Sequence, residues 1–369
     1  MSHRNKKARA RWPWITALTV IPLGVVLYQS LAEERLDPDK LLPPSAERAA
    51  NARAVLAAPA ATAGEQAAEH GRQGRQFYDQ WRFDEARTAL ELALELDPDL
   101  ADAYCDLGLV ELRQPGDLLR SVALFERAME LDPEDGRFPL GLAGAITAQI
   151  MNAGSLLKGA TRMPRIKELL QLSVELDPDE LDSRKALFHF YLLLPGFLGG
   201  GMEKAEEQAR ELQRIDSAEG LIARASIEYR EERHESAEAL YRQAVAESPS
   251  YGPARHALGN YLIGQERFDD AVPPLEEYAR IDAADPEAHD SLGAGYLKAG
   301  RHAQAEASLR RALELNPDSL SATMHLADCL DQTGDEARAG ALYREVWERV
   351  QEGPWAKKAR EWLDEQGSD

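Results

Sequence analysis

The sequence predicts an all-α solenoid of stacked helix-turn-helix units behind one membrane-inserting segment. Three observations predict it. A Leu-Asp-Pro-like signature recurs at Leu96-Asp97-Pro98, Leu131-Asp132-Pro133, Leu176-Asp177-Pro178 and Leu315-Asn316-Pro317, with a looser copy at Glu247-Ser248-Pro249. Pro249 and Pro317 lie 68 residues apart, two periods of 34. Within each unit apolar residues fall at helical spacing, as in Ala305, Leu309 and Ala312. A helix pair this short cannot bury its own apolar stripe, so neighbours must stack.

The 369-residue chain opens on Arg4, Lys6, Lys7, Arg9 and Arg11, with no acid among residues 1–14. The overall net charge of −21 therefore becomes −26 over the remainder. So acidic a body repels phosphate backbones, which argues against nucleic acid as a partner. The basic tail, 1–11, precedes Trp12-Pro13-Trp14 and an uncharged run from Ile15 to Tyr28. Residues 12–32 as a helix span about 31 Å, the thickness of a hydrocarbon core. Basic residues resist translocation, so the expected arrangement is a single pass with residues 1–11 in the cytoplasm and the body in the periplasm of a bacterial inner membrane. A cleaved signal peptide, cut near Ala32, is the other reading, because Ser30-Leu31-Ala32 resembles a cleavage site. Both readings export the body.

Residues 33–66 hold several prolines and a run of alanines but few large apolar side chains. They read as a flexible linker, with one short helix over 45–57 begun by Ser45. From 67 to 353 the repeats follow, about eight in number. The unit at Pro286 has Leu292-Gly293, Tyr296, Gly300, Ala305, Leu309, Ala312 and Pro317. Shifts of 34 residues recover the pattern at Gly252, Ala218 and Leu320. Upstream units begin near Ala67 and Ala101. Gly108, Gly259 and Gly293 sit where a helix should be continuous, at a cost of about 1 kcal/mol each against alanine. A repeated cost of that kind implies that two helices approach closely there.

Residues 136–217 are irregular. Extra residues fall around Asn152–Met163, and Leu194-Pro195-Gly196-Phe197-Leu198-Gly199-Gly200-Gly201 interrupts the next unit. The glycine run reads either as a permissive connection or as a loop over the groove with Phe197 at its tip. Pro273-Pro274 predicts a helix that begins late or bends. Residues 354–369 carry Trp355 and Trp362 beside Lys357, Lys358 and Arg360, as a capping helix would. The two cysteines, Cys105 and Cys329, belong to distant repeats and should not pair. No histidine shows metal-ligand spacing, and no nucleophile or phosphate-loop motif is present. The expectation is a chain with no cofactor, no small-molecule substrate and no catalysis of its own.

These motifs resemble the tetratricopeptide repeat (TPR) family over about 67–353. The resemblance implies a right-handed superhelix whose first helices line a concave groove for a segment of a protein partner. Carried over position by position, the groove residues are Arg75, Tyr78, Arg113, Lys185, His189, Tyr229, Arg230, His256, Asn260, Asp290, Lys298, Met324 and Asp328. The family's clamp for terminal carboxylates is not matched by Lys185 with His189 or by His256 with Asn260. The implied function is a membrane-tethered scaffold or assembly factor. The alternative is a chaperone-like periplasmic subunit of a biogenesis or secretion machine, such as one of the cytochrome maturation type.

Overall fold

The computed structural model describes residues 62–113, 117–152, 159–350 and 353–366. The basic tail, the membrane segment and the helix expected over 45–57 lie outside the described residues. Among the described residues no helix is long and apolar enough to cross a membrane.

Seventeen α-helices and two short 3-10 turns make up the described chain, with no strand. Eight helix pairs follow in order: α1 (Ala63–Asp79) with α2 (Phe83–Leu96), α3 (Ala101–Arg113) with α4 (Leu118–Leu131), α5 (Arg137–Asn152) with α6 (Met163–Leu176), and α7 (Leu181–Leu193) with α8 (Met202–Ile215). Then come α9 (Ser217–Arg230) with α10 (His234–Glu247), α11 (Gly252–Gly264) with α12 (Phe268–Ile281), α13 (Pro286–Lys298) with α14 (His302–Leu315), and α15 (Leu320–Gln332) with α16 (Glu336–Arg349). A single helix, α17 (Gly353–Gln366), closes the array.

The repeated glycines do what their spacing implies. A Cβ at Gly74 would lie 2.5 Å from the Leu90 side chain, at Gly259 2.6 Å from Leu275, and at Gly293 2.5 Å from Leu309. At Gly108 the neighbour is the Phe125 ring, at 3.0 Å. The first helix of each of these pairs thus receives a large side chain of the second directly against its backbone. Buried apolar side chains form two large clusters along the array. One runs from Phe83 to Ile227 and the other from Ala225 to Ala359, so the core extends along the stack rather than around one centre.

The signatures at the ends of the second helices have a local cause. The C-cap residues Asp97, Asp132, Asp177 and Asn316 leave the helix in extended backbone. Each side-chain oxygen accepts from the backbone N–H two residues on, at 3.1–3.3 Å. The proline between them cannot continue the helix. The turn inside five of the pairs is also a repeated device. Trp81, Glu232, Glu266, Gly300 and Gly334 all have positive φ, between 58° and 79°. The next residue donates back across the turn, as in Arg233 N to Glu228 O at 2.9 Å and Arg301 N to Tyr296 O at 2.8 Å, a Schellman closure.

One expectation needs correction. The linker ends before residue 66, because Thr62 and Glu65 form a capping box that starts α1 at Ala63. Of the two outcomes expected at Pro273-Pro274, a late start is not the one found: the helix α12 starts at Phe268, with both prolines within it. Those prolines leave the carbonyls of Asp269 and Asp270 without helical donors, and both residues are exposed, so water can satisfy them. The Gly-rich run connects α7 to α8 through a compact 3-10 turn, Gly196–Leu198, followed by Gly199 at φ 95°. A Cβ at Gly200 would strike the carbonyl of Leu194. Phe197 stands 84% exposed at its tip.

Trp362 stacks on Tyr343 with ring centres 4.7 Å apart and donates to Asp331 at 2.9 Å, sealing the last repeat. Cys105 and Cys329 are buried free thiols.

The two glutamates in left-handed backbone carry a strain of about 1 kcal/mol each that the glycines at the same place avoid. Glu266→Gly should therefore raise the urea midpoint of helix loss, and Gly300→Ala should lower it. Opposite signs would show that the turn is not limited by that backbone conformation.

Candidate partner-binding groove

The first helices of successive pairs touch one another along one side of the array, α1 with α3, α3 with α5, and α9 through α11 and α13 to α15. Their polar residues fall one repeat apart and meet side by side. Most of the cations and acids expected to face a partner are instead tied to other residues of the array.

Arg75 Nη1 donates to Asp106 Oδ1 at 2.8 Å. Lys185 lies 2.9 Å from Asp182 and 3.3 Å from Glu219. Glu219 also accepts from the Tyr251 hydroxyl and is only 5% exposed. His256 shares a hydrogen bond with Ser291 at 3.1 Å and stacks on Tyr278, ring centres 4.9 Å apart. Asp290 accepts from Ser321 at 2.6 Å and pairs with His325 at 2.7 Å. Asp328 accepts from Tyr343 at 2.7 Å and from Lys358 of α17 at 2.6 Å. Sequence reasoning missed Glu219, Ser291, Ser321, His325 and Lys358. Glu219 was within its reach, because it lies one 34-residue step beyond Lys185.

Met324 does not face the groove. It is fully buried in the apolar cluster that runs on to Ala359 of α17, where a thioether gains most. His189 is half-buried, with its ring edge-on to Phe188 at 5.1 Å. Tyr229 packs against Tyr261 and His234 at 5.6 and 5.7 Å. Tyr78 and Arg113 meet at 3.3 Å.

Three expected groove residues stand apart. Among the described residues, the half-buried Arg230 and the exposed Lys298 have no hydrogen bond or ion pair. The Asn260 Nδ2 is buried and makes no hydrogen bond. They belong to α9, α13 and the intervening α11. These donors offer themselves to carboxylates or backbone carbonyls of an incoming chain.

The buried ladder also sets the histidine charges. Burial pushes the His256 imidazole down to about 4. At His325 burial works the same way, but the Asp290 carboxylate outweighs it and holds the imidazole above its ordinary value. The signs then oppose. Folding favours the proton on His325, so that contribution is complete below about pH 6.5 and is lost as pH rises through the raised value. Folding disfavours the proton on His256, so stability falls as pH drops from about 6.5 towards 4. Proton NMR of the imidazoles should show His325 titrating above His256, and Asp290→Asn should bring His325 down. The reverse order would refute the pairing.

A family model described as tetratricopeptide repeat matches residues 198–352, and one described as TPR repeat matches residues 74–114. Superkiller complex protein 3 of Homo sapiens is 26% identical over 273 residues, which are 72% of this chain and 16% of that protein. The chain thus spans a minor part of the length of that relative. The type IV pilus assembly protein PilF of Pseudomonas aeruginosa is 29% identical over 149 residues, 39% of this chain and 59% of that protein. Among solved structures, the human IFIT1 dimer with PPP-AAAA has 19% identity and a TM-score of 0.48, covering 80% of this chain and 73% of that one. A tetratricopeptide repeat protein from Parabacteroides merdae has 12% identity and a TM-score of 0.40, covering 81% of this chain and 98% of that one.

Proposed function

The chain belongs to the tetratricopeptide repeat family, and on that premise we propose that it is a non-catalytic scaffold holding an extended segment of a protein partner in its groove. The observation that carries this is the pattern of satisfied and unsatisfied donors. Arg75, Lys185 and His256 are committed to neighbouring repeats. Arg230, Lys298 and the Asn260 amide are not. A buried amide without an acceptor costs free energy until something supplies one. Carboxylates and free carbonyls of an extended chain supply them, with apolar groups lying against Tyr229.

The scaffold acts from the membrane in this reading. Residues 12–32 tether it, and the body lies outside the cytoplasm of a bacterial cell. The support is the basic start followed by an apolar stretch of bilayer length. A second reading makes the chain a chaperone-like subunit of an envelope biogenesis or secretion machine. The similarity to a pilus assembly protein favours it, over 39% of this chain.

Two experiments test the proposal. Arg230→Glu with Lys298→Glu should reduce capture of partners crosslinked in the native membrane at least tenfold. Two charged hydrogen bonds worth about 1.5–3 kcal/mol each set that scale. Undiminished capture removes the groove assignment. Protease added to intact spheroplasts should digest the body, and protection would invert the topology.

A further inference from the structure

The array coils far enough to touch itself. Arg113, in the last turn of α3, donates from Nη1 to Glu287 Oε1 at 3.0 Å, although 174 positions separate them. The same guanidinium reaches the Tyr78 hydroxyl at 3.3 Å and lies 5.3 Å from the centre of the Trp81 ring. Glu287 sits in the first turn of α13. Further along, α17 touches α5. The second and third pairs therefore meet the seventh pair and the terminal helix along a seam between successive turns.

We propose that this seam is a clasp that closes the groove from the side, and that a partner segment enters by displacing Glu287 from Arg113. The inference rests on the groove reading above and names how that groove is regulated. Repeat spacing supplies the first argument. Arg113 lies five residues after Gly108, as Lys298 lies five after Gly293. Arg113 thus holds the place in its repeat that Lys298 holds in its own, and Glu287 occupies it as a stand-in for a partner carboxylate.

The second argument is the weakness of the seam. Arg113 and Glu287 side chains remain 42% and 46% exposed. The interior of the repeats, by contrast, is held by side chains such as Leu90, Leu124 and Leu275 with no exposure at all. Turns can part at the seam without opening any repeat. An exposed pair is also screened by salt. The third argument is the discomfort of Glu287. Its half-exposed side chain still loses part of its water against the facing turn, which raises its pKa; Asp285 and Asp290 raise it further, and Arg113 is the cation that opposes them. A competing carboxylate that takes Arg113 leaves Glu287 with reason to move away.

The test needs no partner. Asn260→Cys in the full chain places a thiol in the groove, while Cys105 and Cys329 stay buried. Its labelling is followed with N-ethylmaleimide and with a polyethylene-glycol maleimide too bulky to pass the seam. Glu287→Gln, which preserves shape, should speed the bulky reagent several-fold and leave the small one unchanged. Arg113→Glu should do the same, the exchange Arg113→Glu with Glu287→Arg should restore slow bulky labelling, and raised salt should mimic the single changes. A bulky rate that Glu287→Gln leaves at the parent value overturns the clasp. So does a joint rise of both reagents, which marks loosened repeats instead. Neither result depends on Arg230 or Lys298, so the clasp and the groove assignment fail separately.

Discussion

The structure depends on a backbone laid bare for a side chain. At Gly74, Gly108, Gly259 and Gly293 the first helix of a pair presents no Cβ, and Leu90, Phe125, Leu275 and Leu309 fill the space. That contact fixes how close the two helices lie. Close helices leave the rest of each apolar stripe facing outward, and only the next pair can cover it. The continuous clusters from Phe83 to Ile227 and from Ala225 to Ala359 are the result. The terminal helix ends the series by setting Trp362 against Tyr343.

Stacking of this kind aligns the first helices and brings like positions of consecutive repeats within hydrogen-bonding distance. The groove is therefore partly consumed by its own cross-ties. Arg75 with Asp106, Lys185 with Glu219, and Asp290 with Ser321 and His325 each join one repeat to another. These ties join the first helices to one another and leave the uncommitted donors on α9, α11 and α13. For the proposed capture, few free donors on a fixed surface would lower the entropy cost and make recognition depend on those few.

Much of the fold was legible in the residues. Leu-Asp-Pro marked the ends of second helices because an Asx turn and a proline are local events. Gly300 and Gly334 marked the internal turn because left-handed backbone favours glycine. Glu232 and Glu266, in the same conformation, carried no such mark. Pro273 and Pro274 did not delay the start of α12, because the turn before it fixes that start whatever follows. Of the expected groove residues, the positions within the repeat were legible and the state of the side chains was not. Met324 had a groove position by spacing but lies wholly in the core.

The sequence by itself determined the helices, the turns between them, the places of close contact and the number of repeats. Each of these follows from residues within one period of 34. Tertiary structure alone decided which groove donors find acceptors, and that Arg113 meets Glu287 across 174 positions. The reason is cumulative. Every interface adds a small rotation set by side-chain packing, and no local pattern records the sum that brings one turn of the array against the next.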